Sequence, residues 1–330
     1  MSTDPLEVIQ QRTLAALSKH LHPGEPVALL DFPSYQNAGD TLIYVGERAY
    51  LDRLGVPVRY LADHARYRPE VLRKHHPEGP ILLRGGGNFG DRWQHMQELR
   101  EQVVKDFPDR RIIQLPQSVE FRDAARLAQA RAVFAAHPGF VILVRETPSF
   151  ERAQTMFPDN QVEYCPDAAF GVGYLPEVAP ATEDVVMVLR EDSEGVERGV
   201  KDAVTGRAVD WGLHGPAQLA WMGLSVHKVL AQKFPTRTPA LYPLTVAGYR
   251  AQVALNMGSA RRIVSRGRVL VTDRLHAAVL GALMRRPTIA LDNSYGKISS
   301  IYNDYMHTLD GIRFVESAEE VRQAVKSLAA

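Results

Sequence analysis

The sequence predicts an α/β fold in which two doubly wound parallel sheets, each covered by helices, face one another across a cleft. Three observations carry this reading. Continuous runs of Val, Ile and Leu recur along the chain, as strands buried on both faces require. Between them lie segments whose apolar residues recur at three and four, the spacing of a helix with one buried side. The alternation pauses once, in a stretch without periodicity, and then starts afresh, which points to two domains.

The chain opens with "MSTDPLEVIQQRTLAALSKHL", where Leu6, Ile9, Leu14 and Leu17 mark an amphipathic helix. Acids near its start and the lack of a continuous apolar centre set it apart from a signal peptide. The first strand is "VALLDF" from Val27, and "DTLIYVGERAYLDRLG" supplies the helix behind it. Further strands are "ILLRGGGN" from Ile81, "RIIQLPQS" from Arg111, "FVILVRE" from Phe140 and "VEYCPDAAF" from Val162, with "RDAARLAQARAVFAAH" a helix among them. From Gly171 to Asp184, "GVGYLPEVAPATED" has the Gly, Pro and small residues of a linker, so the expected domains are residues 1–175 and 176–330. The second half restarts with "VVMVLRED" and runs through "RVLVTD", "PTIALDN" and "IRFVES" to a last helix, "SAEEVRQAVKSLAA", capped by Ser317. Residues 192–215, rich in Gly and charge, are read as an excursion near the cleft, and His75 and His76 as part of a surface turn.

Composition narrows the function. The 330 residues exceed what one core usually serves, and 45% apolar with 23% charged residues describes an ordinary soluble protein. Lys and Arg number 39 against 38 Asp and Glu. No global field therefore draws nucleic acid or an acidic membrane, and any anion has to be met by a local site. No run reaches spanning length, so membrane contact is expected to be peripheral at most. Cys165 is the only cysteine, which excludes an intramolecular disulfide and a Cys-based zinc cluster and fits the cytoplasm. No His, Asp and Glu spacing resembles a metal site, so neither metal nor cofactor is expected.

Six motifs stand at the carboxyl ends of strands, where parallel sheets bind their ligands. In "FPSYQNAGDTLIY", Asn37, Gly39 and Asp40 lead into a helix whose free N–H groups suit an anion or a hydroxyl-rich ligand; the plain alternative is Asp40 as N-cap and Gly39 as a turn residue. In "LLRGGGNFGD", the loop Gly85, Gly86, Gly87 and Asn88 lets backbone approach a ligand closely, and it matches neither G-x-G-x-x-G nor G-x-x-x-x-G-K-[ST]. A tight turn needs only one or two of these glycines. "PQSVEF" offers Gln117, Ser118 and Glu120 to hydroxyls or to a helix cap. "ILVRE" ends in Arg145 and Glu146, an anion fork or a structural pair. "VTDRLHA" ends in Asp273, Arg274, Leu275 and His276, and "LDNSYGKISS" in Asp292, Asn293, Tyr295 and Lys297. Arg274, His276 and Lys297 beside a helix N-terminus are best explained by an arriving anion, against a pairing of Asp273 with Arg274 and a His276 satisfied in the core. Hydroxyl-binding types in the first half and cations in the second suggest a polyol acceptor and an anionic donor.

In order, "NAGDTLIYVGE", "LLRGGGNFGD", "LPQSVEF", "VRE", "CPDAAF" and "TDRLHAAVLGALMRRPTIALDNSYGKIS" resemble the polysaccharide pyruvyl transferase family from about Ala28 to Asp304. The resemblance implies a GT-B-like pair of Rossmann-like domains. It also implies transfer of the enolpyruvyl group of phosphoenolpyruvate, a donor substrate rather than a cofactor, onto a free or lipid-linked saccharide as a ketal bridging two hydroxyls of an exopolysaccharide or cell-surface glycan. On the same basis Arg145, Arg274, His276 and Lys297 contact phosphoenolpyruvate, while Asn37, Asp40, Gly86, Gly87 and Asn88 lie along the acceptor. Ketal formation needs an acid and a base about C2. His276 is assigned as the acid or a phosphate ligand and Asp40 as the base, with Glu146 and Asp167 as alternatives. Because Arg145 belongs to the first domain and His276 to the second, closure of the cleft is expected to unite them. Two other readings stay open: a GT-B glycosyltransferase using a nucleotide sugar, and a non-catalytic glycan-binding protein. A homo-oligomer also remains open.

Overall fold

The computed structural model describes residues 4–329 apart from 191–194, 197, 210, 235–239, 294 and 295, so Tyr295 and part of the 192–215 excursion lie outside the described residues. Seven strands form the first sheet: β1 (Val27–Leu30), β2 (Val58–Ala62), β3 (Ile81–Leu83), β4 (Gly86–Gly90), β5 (Ile112–Glu120), β6 (Phe140–Val144) and β7 (Gln161–Tyr164). Five form the second: β8 (Glu183–Val188), β9 (Arg207–Ala208), β10 (Gly267–Thr272), β11 (Thr288–Leu291) and β12 (Ile312–Val315). With the first sheet run α1 (Pro5–Leu17), α2 (Ala38–Arg53), α3 (Pro69–His75), α4 (Gln94–Asp106), α5 (Ala124–Ala135) and α6 (Thr147–Met156). With the second run α7 (Val200–Ala203), α8 (Pro216–Lys233), α9 (Tyr242–Arg266), α10 (Leu275–Leu283), α11 (Lys297–Asp304) and α12 (Ala318–Ala329).

All pairings are parallel, in the orders β2-β1-β3-β5-β6-β7, with β4 beside β5, and β12-β11-β10-β8-β9. Each order reverses once, between β1 and β3 in the first sheet and between β8 and β10 in the second. Those reversals leave a crevice beyond the strands' carboxyl ends. The chain crosses from one sheet to the other between Tyr164 and Glu183.

The glycine run is where local reading and structure part. Gly86–Gly90 is a strand, not a loop, and "PQSVEF" lies mostly inside β5, which continues to Glu120. The first half of β5 pairs with β3 and the second half with β4, and the ladder shifts between Gln114 and Gln117. Pro116 stands in that gap, where its missing N–H costs no ladder bond. A Cβ at Gly85 would lie 2.5 Å from the Pro116 carbonyl oxygen, and one at Gly90 1.7 Å from that of Glu120. Glycine is present because the neighbouring backbone leaves no room for a side chain. His76 also departs from expectation: it is fully buried, its Nε2 3.1 Å from the Pro80 carbonyl.

Helix α2 lies between the sheets. Its buried face, with Leu42, Ile43, Tyr50 and Leu51, joins one apolar cluster that takes Leu29 and Leu82 from the first sheet and Val186 and Leu270 from the second. It packs on α9, on α10 and on a 3₁₀ turn, Ala168–Val172. The last contact is backbone on backbone: a Cβ at Gly46 would sit 1.8 Å from the Ala168 carbonyl oxygen. Gly46→Ala is therefore expected to destabilise the fold by about 3 kcal/mol or more, since neither partner is a flexible side chain. Gly223→Ala, on α8 with nothing of the described residues within 4 Å of the new methyl, is expected to be neutral or to stabilise by up to about 1 kcal/mol. Urea unfolding of the two variants beside the parent chain tests both.

Candidate active site

The first wall of the site is the start of α2. Asn37, not Asp40, caps it, its Oδ1 accepting from the backbone N–H groups of Gly39 (2.9 Å) and Asp40 (3.2 Å). Asp40 falls in the first turn, where the helix dipole favours a carboxylate. Its Oδ2 accepts from the Tyr35 hydroxyl (2.8 Å) and Asn37 Nδ2 (2.9 Å), and its Oδ1 from Arg84 Nη1 (3.3 Å). Burial pushes the Asp40 carboxyl up, but the Arg84 charge and the Tyr35 bond outweigh it and hold the group below the usual value.

Arg84, which the motif reading passed over, organises this wall. Fully buried at the end of β3, it donates from Nε to the Asp31 carbonyl (2.7 Å) and from Nη2 to Asp31 Oδ2 (3.3 Å) and Tyr35 Oη (3.0 Å). Asp31 has a left-handed backbone, φ 65°, an uncommon state for a non-glycine residue that this bonding holds in place. The available signal was position alone, a charged residue ending a Val/Ile/Leu run. Asn88 turns the same way: its Nδ2 donates to Asp31 Oδ2 (3.2 Å), and its Oδ1 accepts from Gln117 (2.7 Å) and Arg100 (3.0 Å). Gly86 lies against Arg84 and Asp40, and only Gly87 and Asn88 of the glycine motif reach the cavity described below.

The second wall joins the two halves of the chain. Arg145 leaves the end of β6, donates from Nε to Ser118 Oγ (2.9 Å) and from Nη1 to Asp167 Oδ2 (2.6 Å), and has Glu146 at 3.5 Å. His276, second residue of α10, has its Nε2 3.3 Å from Asp167 Oδ2 and 3.5 Å from Arg145 Nη1. Burial alone would raise the Asp167 carboxyl; the Arg145 charge and then His276 outweigh it and keep the group well below the usual range. Glu146 goes the other way, raised by burial although Arg145, Ser149 and Ser118 oppose it. Arg145 and His276 thus meet without closure of a cleft. The reason is that α2 brings Gly39 against the His276 ring, where a Cβ would stand 3.0 Å from that of His276.

Both walls face a cavity of about 620 Å³. Among the described residues its lining carries five cations, Arg145, Arg190, Lys228, Arg274 and Lys297, against one carboxylate, Asp40. Arg145 is already paired with Asp167, and the lining as a whole favours an anion. Arg190 and Arg274 come from the ends of β8 and β10, the reversal of the second sheet, and Lys297 opens α11. A Cβ on Gly87 would stand 3.1 Å from Arg145 Nη2 and 3.6 Å from Lys297 Nζ, so the absent side chain keeps both cations accessible to one ligand. Leu275 is buried, and Trp211 and Gly212 bring part of the excursion to the cavity. A second cavity of about 310 Å³ shares Gly87, Asn88, Trp93 and Lys297 with the first and adds Ser118, Phe121 and Arg152.

Glu47 lies beneath the glycine motif. Its Oε1 accepts from the Gly85 N–H (2.6 Å), Oε2 has no partner among the described residues, and burial pushes the carboxyl from 4.5 up to about 8. Across pH 4.5 to 8 the folded chain thus holds a proton that the unfolded chain has lost, so this group makes stability fall as pH rises through that window. Glu47→Gln is expected to keep the Gly85 bond and to remove that part of the decline, a few kcal/mol at most. Urea unfolding of both proteins at several pH values measures it.

Comparison with known proteins bears on this site. The model of the family described as polysaccharide pyruvyl transferase matches residues 37–295. Pyruvyl transferase 1 of Schizosaccharomyces pombe is 34% identical over 322 residues, 93% of this chain and 77% of that protein. EpsO of Bacillus subtilis, whose name also carries pyruvyl transferase, is 29% identical over 297 residues, 88% of each chain. A crystal structure of a functionally uncharacterised Klebsiella pneumoniae protein shares the fold, with TM-score 0.58 at 19% identity over 96% of this chain and all of that one. The chain belongs to the polysaccharide pyruvyl transferase family and is a transferase of pyruvyl groups.

Proposed function

We propose that the donor is phosphoenolpyruvate and that the product is a pyruvate ketal on a saccharide. The observation that carries the reading is the meeting of Arg145, Asp167 and His276 at the wall of a cavity whose described lining carries five cations and one carboxylate, Asp40. A donor bearing both carboxylate and phosphate matches that charge, and Arg145, Arg274 and Lys297 are assigned to neutralise it. Residues 176–330 are taken as the donor side and 1–175 as the acceptor side, with Arg145 reaching across.

His276 is assigned as general acid. Asp167 Oδ2, 3.3 Å from its Nε2, fixes the orientation of the ring, as a buried carboxylate does for a catalytic histidine. The imidazolium protonates the methylene carbon, and C2 becomes an oxocarbenium that one acceptor hydroxyl attacks. Phosphate then leaves with the C2–O electron pair, and a second hydroxyl closes the ketal. Of the two hydroxyl protons, one restores His276, and the other is taken up by Asp40 and passed on to the departing phosphate. Asp40 is assigned as base: it is ionised at neutral pH and lines the cavity, although the bonds that keep it ionised also weaken it as a proton acceptor. The acceptor sugar is assigned to run from Asp40 in the large cavity past Gly87 and Asn88 into the smaller one, with Trp93, 45% exposed, as an aromatic face.

Phosphate release from phosphoenolpyruvate, followed across a panel of free and lipid-linked saccharides, tests the reaction. No release with any acceptor, together with turnover of a nucleotide sugar, would sink it. His276→Ala is expected to lower kcat by roughly 10²–10⁴-fold with donor binding retained, and near-normal turnover would remove the acid assignment. Lys297→Ala and Arg274→Ala are expected to weaken donor binding by at least about tenfold. Donor binding is read from thermal shift: phosphoenolpyruvate is expected to raise Tm and UDP-sugars to leave it unchanged.

A further inference from the structure

We propose that α8 and the start of α9 form a docking surface for an anionic phospholipid bilayer. The surface is apolar first. Leu219, Met222, Val226, Val229, Leu230 and Phe234 are 45–70% exposed and recur at three and four, so they form one stripe along α8. Leu241 and Leu244, 43% and 59% exposed, continue it onto α9. The opposite side of α8 is engaged: Trp221 is buried, and Lys228 donates to the Ser34 carbonyl at 3.4 Å. Stripes of this size are uncommon on a surface that meets only water.

Charge selects the occupant. From Trp211 to Thr272 the chain has no Asp or Glu and eight Lys and Arg, although the whole chain is balanced at +1. Lys233, in the last turn of α8, is exposed beside the stripe, and neither α8 nor α9 has a carboxylate to repel a headgroup. An apolar stripe with basic flanks is the pattern of a helix lying in an anionic interface. A two-fold dimer through the same face would set these cations against their own copies with no acid to offset them. No helix among the described residues is long and apolar enough to cross a membrane, so α8 lies on the bilayer and does not span it. Lys228, Trp211 and Gly212 line the large cavity, and docking through the stripe therefore sets the cavity beside the lipid surface.

This surface does not depend on the identity of the donor, and its test needs no turnover. The full chain is sedimented with vesicles of phosphatidylcholine alone and of phosphatidylcholine with roughly one third phosphatidylglycerol, at low and high salt. At least about tenfold tighter binding to the anionic vesicles, weakened by salt, is expected. The double variant Leu219→Gln/Val226→Gln should lose about tenfold of that affinity and Lys233→Glu should lose part of it, each with an unchanged Tm because the altered side chains are exposed. Equal binding to both vesicle types, or a double variant that binds like the parent, overturns the proposal. So does self-association in sedimentation equilibrium that the double variant abolishes while vesicles stay unbound.

Discussion

The close approach of α2 to the 3₁₀ turn and to α10 governs the rest of the molecule. Two glycines seven positions apart, Gly39 and Gly46, fall on one side of that helix. Gly46 meets the backbone of Ala168, and Gly171 in turn meets the carbonyl of Gly46, where a Cβ would stand 2.5 Å away. Asp167 caps the same turn. Helix α2 thus sets Asp167 at one end of its contact and receives His276 at Gly39, so the pairing of those two residues follows from how tightly one helix packs. An apolar cluster common to both sheets holds the arrangement.

Around that contact the charged groups divide by function. Arg84 and Arg145 are buried and bonded to carboxylates, Arg84 to Asp31 and Asp40 and Arg145 to Asp167 and Glu146. Such pairs give little net stability, because desolvation offsets most of the Coulomb gain. Their effect is to orient groups: Arg84 aligns the start of α2 with the glycine strand, and Asp167 sits between Arg145 and His276. The remaining cations of the large cavity come mostly from the second sheet, at strand ends and helix starts, where an anion gains from charge and from backbone N–H groups together.

Much of this was legible in the sequence. Periodicity located the helices α1, α2, α5 and α12, and the apolar runs located β1, β3, β5, β6, β7, β8, β10, β11 and β12 but not β2, β4 or β9, because burial on both faces leaves a mark that depends on neighbours in the chain only. The strand-end motifs were readable for the same reason, and all four proposed donor contacts, Arg145, Arg274, His276 and Lys297, line one cavity. Family membership was readable from the motifs themselves.

What tertiary structure decided was everything that depends on who stands opposite. Glycine has poor strand propensity, so nothing local marks Gly86–Gly90 as a strand; the nearness of β5 does. Asn37 rather than Asp40 caps α2 because Arg84 and Tyr35, distant or displaced in sequence, claim the Asp40 carboxylate. Glu47 looks like any helix acid until burial under Gly85 keeps it protonated. The sequence by itself determined which residues end strands and which helices carry an apolar side. Only the packing of α2 determined which of those ends meet, since contact across 131 positions, as between Arg145 and His276, is set by backbone approach and not by spacing.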